Sequence, residues 1–226
     1  KKEKENFLIP LEVIYRNSLP EGSSVFERLK EGSLKLQDLG LHSIPEKGAK
    51  LQKPIVDFST KLEVNDRYLS YEEAKEISGF SKEEFEKIKN LILFIDEKII
   101  EEGEKMGLIN EEGKVEFAFD LEREFMVVDA VGTLDECRFT FEGIPVSKEI
   151  ARIYYRKTDW YKEIEEAKKK DRFHWKDYVS SPPQLPKQIR ELISLIYKAY
   201  ANELTGIEWF ETSPLKDLLY RVKELI

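Results

Sequence analysis

The chain has a single cysteine, Cys137, among 226 residues. No intrachain disulfide can form, which points to a reducing, cytoplasmic compartment and leaves the fold to its core. Histidine is almost as scarce. His42 has no second His, Cys or acid at metal-ligand spacing and reads as a surface residue; His174, between aromatics, reads as structural. No apolar run approaches the length of a membrane span, so no membrane partner is expected. The first six residues, KKEKEN, lead into no apolar stretch long enough for a signal peptide. There is no P-loop, no complete GxGxxG, no HExxH and no cysteine-based metal motif. Basic charge is in deficit: the formal net charge is -8 and the pI about 5.2. That excludes nucleic acid as the main partner and leaves room for a small anion in an Arg-lined pocket.

What is present is a hydrophobic content of 41%, enough for a core, and a charged content of 36%, above the usual quarter. The Lys/Glu excess, with few Asn, Gln, Cys and Met, resembles thermophile composition. The length suits one large domain or two small ones.

The stretch Val115–Phe139 organises the rest. Val115, Phe117, Phe119 and Leu121 alternate with polar residues and Ala118, the period of a half-buried strand. Phe125–Val131 reads as a second strand. A two-residue turn at Arg123–Glu124 predicts Asp129 opposite Ala118, diagonal to Asp120 on one face, roughly 7–8 Å away. Two acids so placed can share Mg²⁺, which takes few carboxylates plus phosphate oxygens. Asp129 also interrupts an apolar run, where a carboxylate is rarely buried without a partner or metal. Asp135 and Arg138 follow.

Before that stretch, Phe7–Tyr15 reads as a strand, with Pro10 at an edge or bulge. Arg16 then leads to a Gly-Ser loop, Gly22-Ser23-Ser24, and a short helix, Val25–Lys30, a setting in which backbone N–H groups and Ser hydroxyls make an anion site. Gly32–Lys53 reads as a long loop. Pro54–Ser59 is a strand running into Lys61, Glu63 and Asp66, all placed as strand-end catalytic residues are. Ser70-x-x-Glu73 and Ser81-x-x-Glu84 are capping boxes opening helices to Ser78 and about Met106. Phe85, Ile88, Ile92, Ile95, Ile99 and Met106 form the apolar stripe of the second. Asn110–Gly113 reads as the turn into the central hairpin. After Phe139–Pro145 come helices from Ser147, from Thr158 or Asp159, over Lys187–Leu204, and over Leu215–Leu225.

The order of these pieces resembles SAICAR synthetase, phosphoribosylaminoimidazole-succinocarboxamide synthetase. The resemblance rests on IPLEVIYRN then EGSS, on PIVDFSTKLEVND, and on VVDAVGTLDECR. It covers about Ile9–Arg156. It implies an α+β fold: a mixed or antiparallel sheet backed by helices, with residues 1–146 as a substrate- and metal-binding body and 147–226 as C-terminal helices. It implies ATP-dependent joining of CAIR and L-aspartate through an acyl phosphate. By the same resemblance Arg16, Ser23 and Arg138 bind the ribotide, Asp120 and Asp129 bind Mg²⁺, and Lys61, Asp66 and Asp135 take catalytic places. A homo-oligomer is compatible with it.

Two departures stand out. The family strand Asp-Phe-Lys-x-Glu-Phe-Gly, set against Glu116–Glu122, meets Ala118 where the Lys is expected. The β-rich lobe with its Tyr-x-Gly-Lys ATP loop has no counterpart before Phe7, so Lys1–Asn6 reads as a join to a missing piece. Two other readings are therefore kept open: a ribotide-binding homologue without catalysis, and another kinase-like ATP-using enzyme.

Overall fold

The computed structural model describes residues 4–20, 23–63, 66–171 and 174–225. Six strands and seven α-helices follow one another in it: β1 (Phe7–Ser18), α1 (Ser24–Glu31), β2 (Lys50–Thr60), α2 (Tyr71–Ser78), α3 (Lys82–Lys105), β3 (Ile109–Phe119), β4 (Phe125–Val128), β5 (Cys137–Phe141), β6 (Ile144–Pro145), α4 (Glu149–Arg156), α5 (Asp159–Lys170), α6 (Lys187–Thr205) and α7 (Leu215–Leu225). The fold is α+β, as the sequence implies. No helix among the described residues is long and apolar enough to cross a membrane.

The chain divides into two compact units. The first comprises residues 1–101 and 110–138; the second comprises 102–109 and 139–226. The division thus falls after Arg138, where the sequence reading sets it after Val146.

In the first unit the strand order is β2-β1-β3-β5, with β4 also on β3. β1 is antiparallel to both β2 and β3. Alternation along β1 decides its two faces. Ile9, Leu11, Val13 and Tyr15 are fully buried. Glu12, Ile14 and Arg16 point the other way, because successive side chains alternate across a strand. The apolar stripe of α3 is buried at Phe85, Ile88, Ile92 and Ile99. Full burial of such a side chain contributes about 2 kcal/mol. Phe58, Tyr71 and Phe85 form a ring cluster, as do Phe80, Phe119 and Phe125. Pro10 is tolerated because the β1–β3 register shifts between Leu8 and Glu12, so the missing N–H falls in an irregularity.

Both capping boxes form. Ser70 and Glu73 bond each other's backbone N–H, as do Ser81 and Glu84. The segment after α1 is not merely a surface loop. Leu34 and Leu39 are buried with Leu19, Val25 and Ile55 in a satellite core.

The hairpin differs from the expected one in two ways. Asn110–Gly113 lies inside β3 rather than in a turn. The β3–β4 turn is not centred on Arg123–Glu124: Phe125 pairs with Phe119, Met126 with Ala118 and Val128 with Glu116. The cause is Asp120, whose Oδ1 accepts the N–H of Glu122 at 3.0 Å and of Glu124 at 2.7 Å. That Asx-type turn lengthens the connection and shifts the register by three residues.

In the second unit the later residues of β5 pair with β6. Ile189, Leu192, Ile196 and Ala199 of α6 and Leu215, Leu218, Leu219 and Val222 of α7 are buried. Phe139 meets Tyr200, and Phe141 meets Tyr220 edge-on.

Candidate functional site

The sheet face away from the apolar side of β1 carries a row of charges across four strands. Asp57 stands on β2, Arg16 on β1, Glu112 on β3 and Arg138 on β5. Arg16 lies Cα to Cα against Glu112, and Asp57 against Ile14, one step along. Arg16 Nη2 donates to Asp57 at 3.2 Å, and Nη1 donates to Glu112. Arg138 Nη1 reaches the other oxygen of Glu112 at 2.9 Å. Arg28, from α1, grips Asp57 with both terminal nitrogens, at 2.7 and 3.1 Å. Three guanidinium groups thus share two carboxylates. The surplus of one positive charge suits an anion, and planar guanidinium forks suit phosphate or carboxylate.

Burial divides the members. Arg16 is 3% exposed, whereas the Arg138 side chain is 37% exposed. Burial alone would lower the Arg16 pKa, but the Glu112 and Asp57 charges outweigh it and push it up, so Arg16 stays charged. The Tyr68 ring stands beside both buried guanidinium groups, with centroid distances of 4.6 Å to Arg28 and 5.4 Å to Arg16. Ser23 caps α1, its hydroxyl accepting the Val25 N–H, and is buried. The same helix supplies Arg28, which ties it to the row.

One step along the face lies a second cluster. Glu12 pairs with Ser59 and with Glu116 across the strands. The Ser59 hydroxyl donates to Glu12 at 3.0 Å. Lys61 bonds Glu116 and lies 3.7 Å from Glu12, and Lys114 bonds Glu12. The hydrogen bond to Glu116 raises the Lys61 pKa. For Lys114, burial works downward, but the bond and charge of Glu12 outweigh it. Both ammonium groups remain protonated near neutrality.

Among the residues singled out from sequence, Arg16, Arg138 and Lys61 therefore share one sheet face. Asp135 is exposed in the turn before β5, and Asp66 is exposed after β2. The pairing of Asp120 with Asp129 is corrected by the register. Asp129 follows Val128, the partner of Glu116, while Asp120 follows Phe119, four residues further along β3. At about 3.4 Å per residue the two acids stand well over 10 Å apart along the hairpin. They do not bracket one cation, and the Asp120 carboxylate is engaged by the turn. Asp129 is exposed and has φ 63°, a left-handed conformation that aspartate tolerates better than most residues.

The register sets Val128, the residue before Asp129, against Glu116. The strand motif shifts with it. Glu112-Gly113-Lys114-Val115-Glu116-Phe117-Ala118 reproduces acid-x-Lys-x-Glu-Phe-small, four residues before the placement read from sequence. The Lys that seemed replaced at Ala118 is then Lys114. Among the described residues no group of three or more His, Cys, Asp or Glu could hold a metal. A protein cage of that kind is not what Mg²⁺ needs beside a substrate phosphate, where one or two carboxylates suffice. Asp120 and Asp129, so far apart along the hairpin, do not form such a pair.

Sequence reasoning missed Asp57, Glu112, Arg28, Glu12, Lys114 and Glu116. The signal was there: Asp57 and Ser59 break an otherwise apolar strand at period two, and Glu112, Lys114 and Glu116 continue the alternation begun at Val115.

The family model described as SAICAR synthetase matches residues 3–170. A protein of Archaeoglobus fulgidus, provisionally named phosphoribosylaminoimidazole-succinocarboxamide synthase, is 54% identical over 99% of this chain and 66% of its own length. A Thermoplasma acidophilum protein with that name is 38% identical over 90% of this chain and 69% of its own. The SAICAR synthase of Saccharomyces cerevisiae, solved with SAICAR, superposes with a TM-score of 0.63 at 24% identity, covering 92% of this chain and 63% of the yeast chain. The chain thus spans about two thirds of the length of the relatives it matches.

Proposed function

The chain belongs to the SAICAR synthetase family, and from that premise we propose that it carries the substrate body of an ATP-dependent ligase joining CAIR and L-aspartate. The observation that carries the reading is the row Asp57–Arg16–Glu112–Arg138 with Arg28 bound to Asp57, in which remote segments bring three guanidinium groups and two carboxylates to one face. The yeast structure solved with SAICAR supports a ribotide as the ligand class.

In this reading Arg138 and Ser23 offer donors to the ribotide phosphate, and Arg16 fixes the charge beneath it. Phosphoryl transfer asks mainly for positioning and charge neutralisation. Lys61 and Lys114, both held protonated, oppose the negative charge that develops as an acyl phosphate forms on the CAIR carboxylate. The aspartate amine then attacks that carbonyl and phosphate leaves. Asp129, exposed just after β4, would lend its carboxylate to Mg²⁺, which would neutralise nucleotide phosphate charge. Asp66 and Asp135, exposed at the ends of β2 and before β5, are the acids that face incoming substrate.

The test is ADP release with CAIR, L-aspartate and Mg-ATP, beside calorimetry with CAIR alone. Turnover that Arg138→Ala removes supports the ligase. Ribotide binding without ADP release in any nucleotide condition would favour the binding homologue instead.

A further inference from the structure

Behind the row of charges, on the α3 side of the sheet, lies a buried polar network that the proposed chemistry does not use. Its centre is Asp96, at a core position of α3, four residues after Ile92 and 1% exposed. Asp96 Oδ1 accepts Asn17 Nδ2 at 2.9 Å and Asn110 Nδ2 at 3.0 Å. Asn17 Nδ2 also donates to the Asn110 carbonyl at 3.1 Å. Asn110 Nδ2 donates to the Tyr15 hydroxyl at 2.9 Å, and that hydroxyl lies 3.3 Å from Cys137 Sγ. The strand positions against the network flank the row. Tyr15 and Asn17 bracket Arg16, Gly113, against which the Tyr15 ring lies, follows Glu112, and Cys137 precedes Arg138. Because neighbouring side chains alternate across a sheet, a contact fixed below the strand fixes the side chain above it.

We infer that Asp96 is a positioning residue: its carboxylate registers β1, β3 and β5 from behind, so that Arg16, Glu112 and Arg138 meet on the opposite face. The inference rests on the anion-site reading of that face.

The network also has a second arrangement built into it. Asn110 Oδ1 is buried and has no hydrogen-bond partner. Ionised Asp96 can only accept, which holds both amides as donors. A protonated Asp96 becomes a donor, and a turn of the Asn110 amide brings Oδ1 to it and to the Tyr15 hydroxyl. Both contacts of Asn110 then invert, and the change passes through Tyr15 to Cys137, the neighbour of Arg138. Burial lifts the Asp96 pKa to about 6, against the opposing bonds from Asn17 and Asn110. The other titratable groups facing it stay neutral there: burial holds Tyr15 well above its ordinary value and pushes Cys137 to about 11.

The experiment is a pH titration of the arginine side-chain Nε–Hε NMR signals, assigned through Arg138→Lys, beside calorimetry with sulfate, which stays dianionic throughout. In the wild type the Arg138 signal moves with one midpoint near 6, and sulfate binding weakens by about fivefold below it, the low end of site-to-site coupling. In Asp96→Asn, the isostere of the acid form, the signal stays at its low-pH position and sulfate binds weakly at every pH. A wild-type Arg138 signal indifferent to this transition, or an unchanged step in Asp96→Asn, overturns the inference. Signals that behave as stated while sulfate binds neither protein sink the anion-site reading and leave the positioning role standing.

Discussion

Arg16 and Arg138, on strands separated by β3, close on opposite oxygens of the single Glu112 carboxylate. They differ in one respect that mutation can exploit. Arg16 is buried against two carboxylates, whereas Arg138 keeps a third of its side chain exposed.

Arg16→Ala leaves Asp57 and Glu112 facing each other without their shared cation, and costs about 3–5 kcal/mol of stability. Arg138→Ala changes stability by less than about 1 kcal/mol. It instead weakens CAIR binding by about 2 kcal/mol, since a charge-assisted bond to the ligand is lost. Chemical denaturation and calorimetry on the two variants separate the effects. Equal destabilisation by both would contradict the stated burial.

The two hairpin acids should part company in the same way. Asp129→Ala cuts ADP release sharply and raises the Mg²⁺ concentration needed for the residual turnover. Asp120→Ala loosens the turn by about 1–2 kcal/mol and leaves the Mg²⁺ dependence unchanged. A changed Mg²⁺ dependence in Asp120→Ala would restore Asp120 to the metal site.

For Asp96 the sign of the pH effect follows from the direction of its shift. The folded-state pKa, about 6, lies above the unfolded value of 3.8. Its contribution is therefore complete below the unfolded value and is lost as pH rises through about 6, so the ionised form is destabilising at pH 8. Asp96→Asn should raise stability at pH 8 by about 2 kcal/mol and leave it nearly unchanged at pH 4. Denaturant midpoints at the two pH values measure this. A gain that is the same at both would mean that the carboxylate charge is not the cause.

Gly113 faces Tyr15 in the β1–β3 register, and a Cβ there would lie 2.1 Å from the Tyr15 hydroxyl oxygen. The missing side chain lets the tyrosine lie across β3 and reach Asn110 and Cys137. Gly113→Ala should cost about 3 kcal/mol by overpacking. It should also make Cys137, otherwise buried, react measurably with a thiol reagent in the native state. Wild-type thiol protection in that variant would mean Tyr15 does not seal this pocket.

Local signals made most of the helices legible. Ser70, Ser81 and Thr158 with their followers mark helix starts through bonds made within four residues, and the Phe85–Ile99 stripe marks the buried face of α3. Arg16 and Arg138 were legible through the resemblance of short segments. The hairpin register was not, because one side-chain oxygen of Asp120 sets the turn, and a two-residue connection fits the same letters. Asp96 was equally hidden: it occupies a stripe position, and only its partners distinguish a buried acid from an exposed one.

By itself, then, the sequence determined most helix starts, the alternating burial of β1 and which segments resemble those of a known family, since these depend on neighbours a few residues away. Which charges meet was decided only in the tertiary structure. Asp57, Arg16, Glu112 and Arg138 stand on four strands, and their contacts depend on strand order and on registers set by turns and bulges. A register error of one residue moves a side chain to the other face, so no reading along the chain could fix that row.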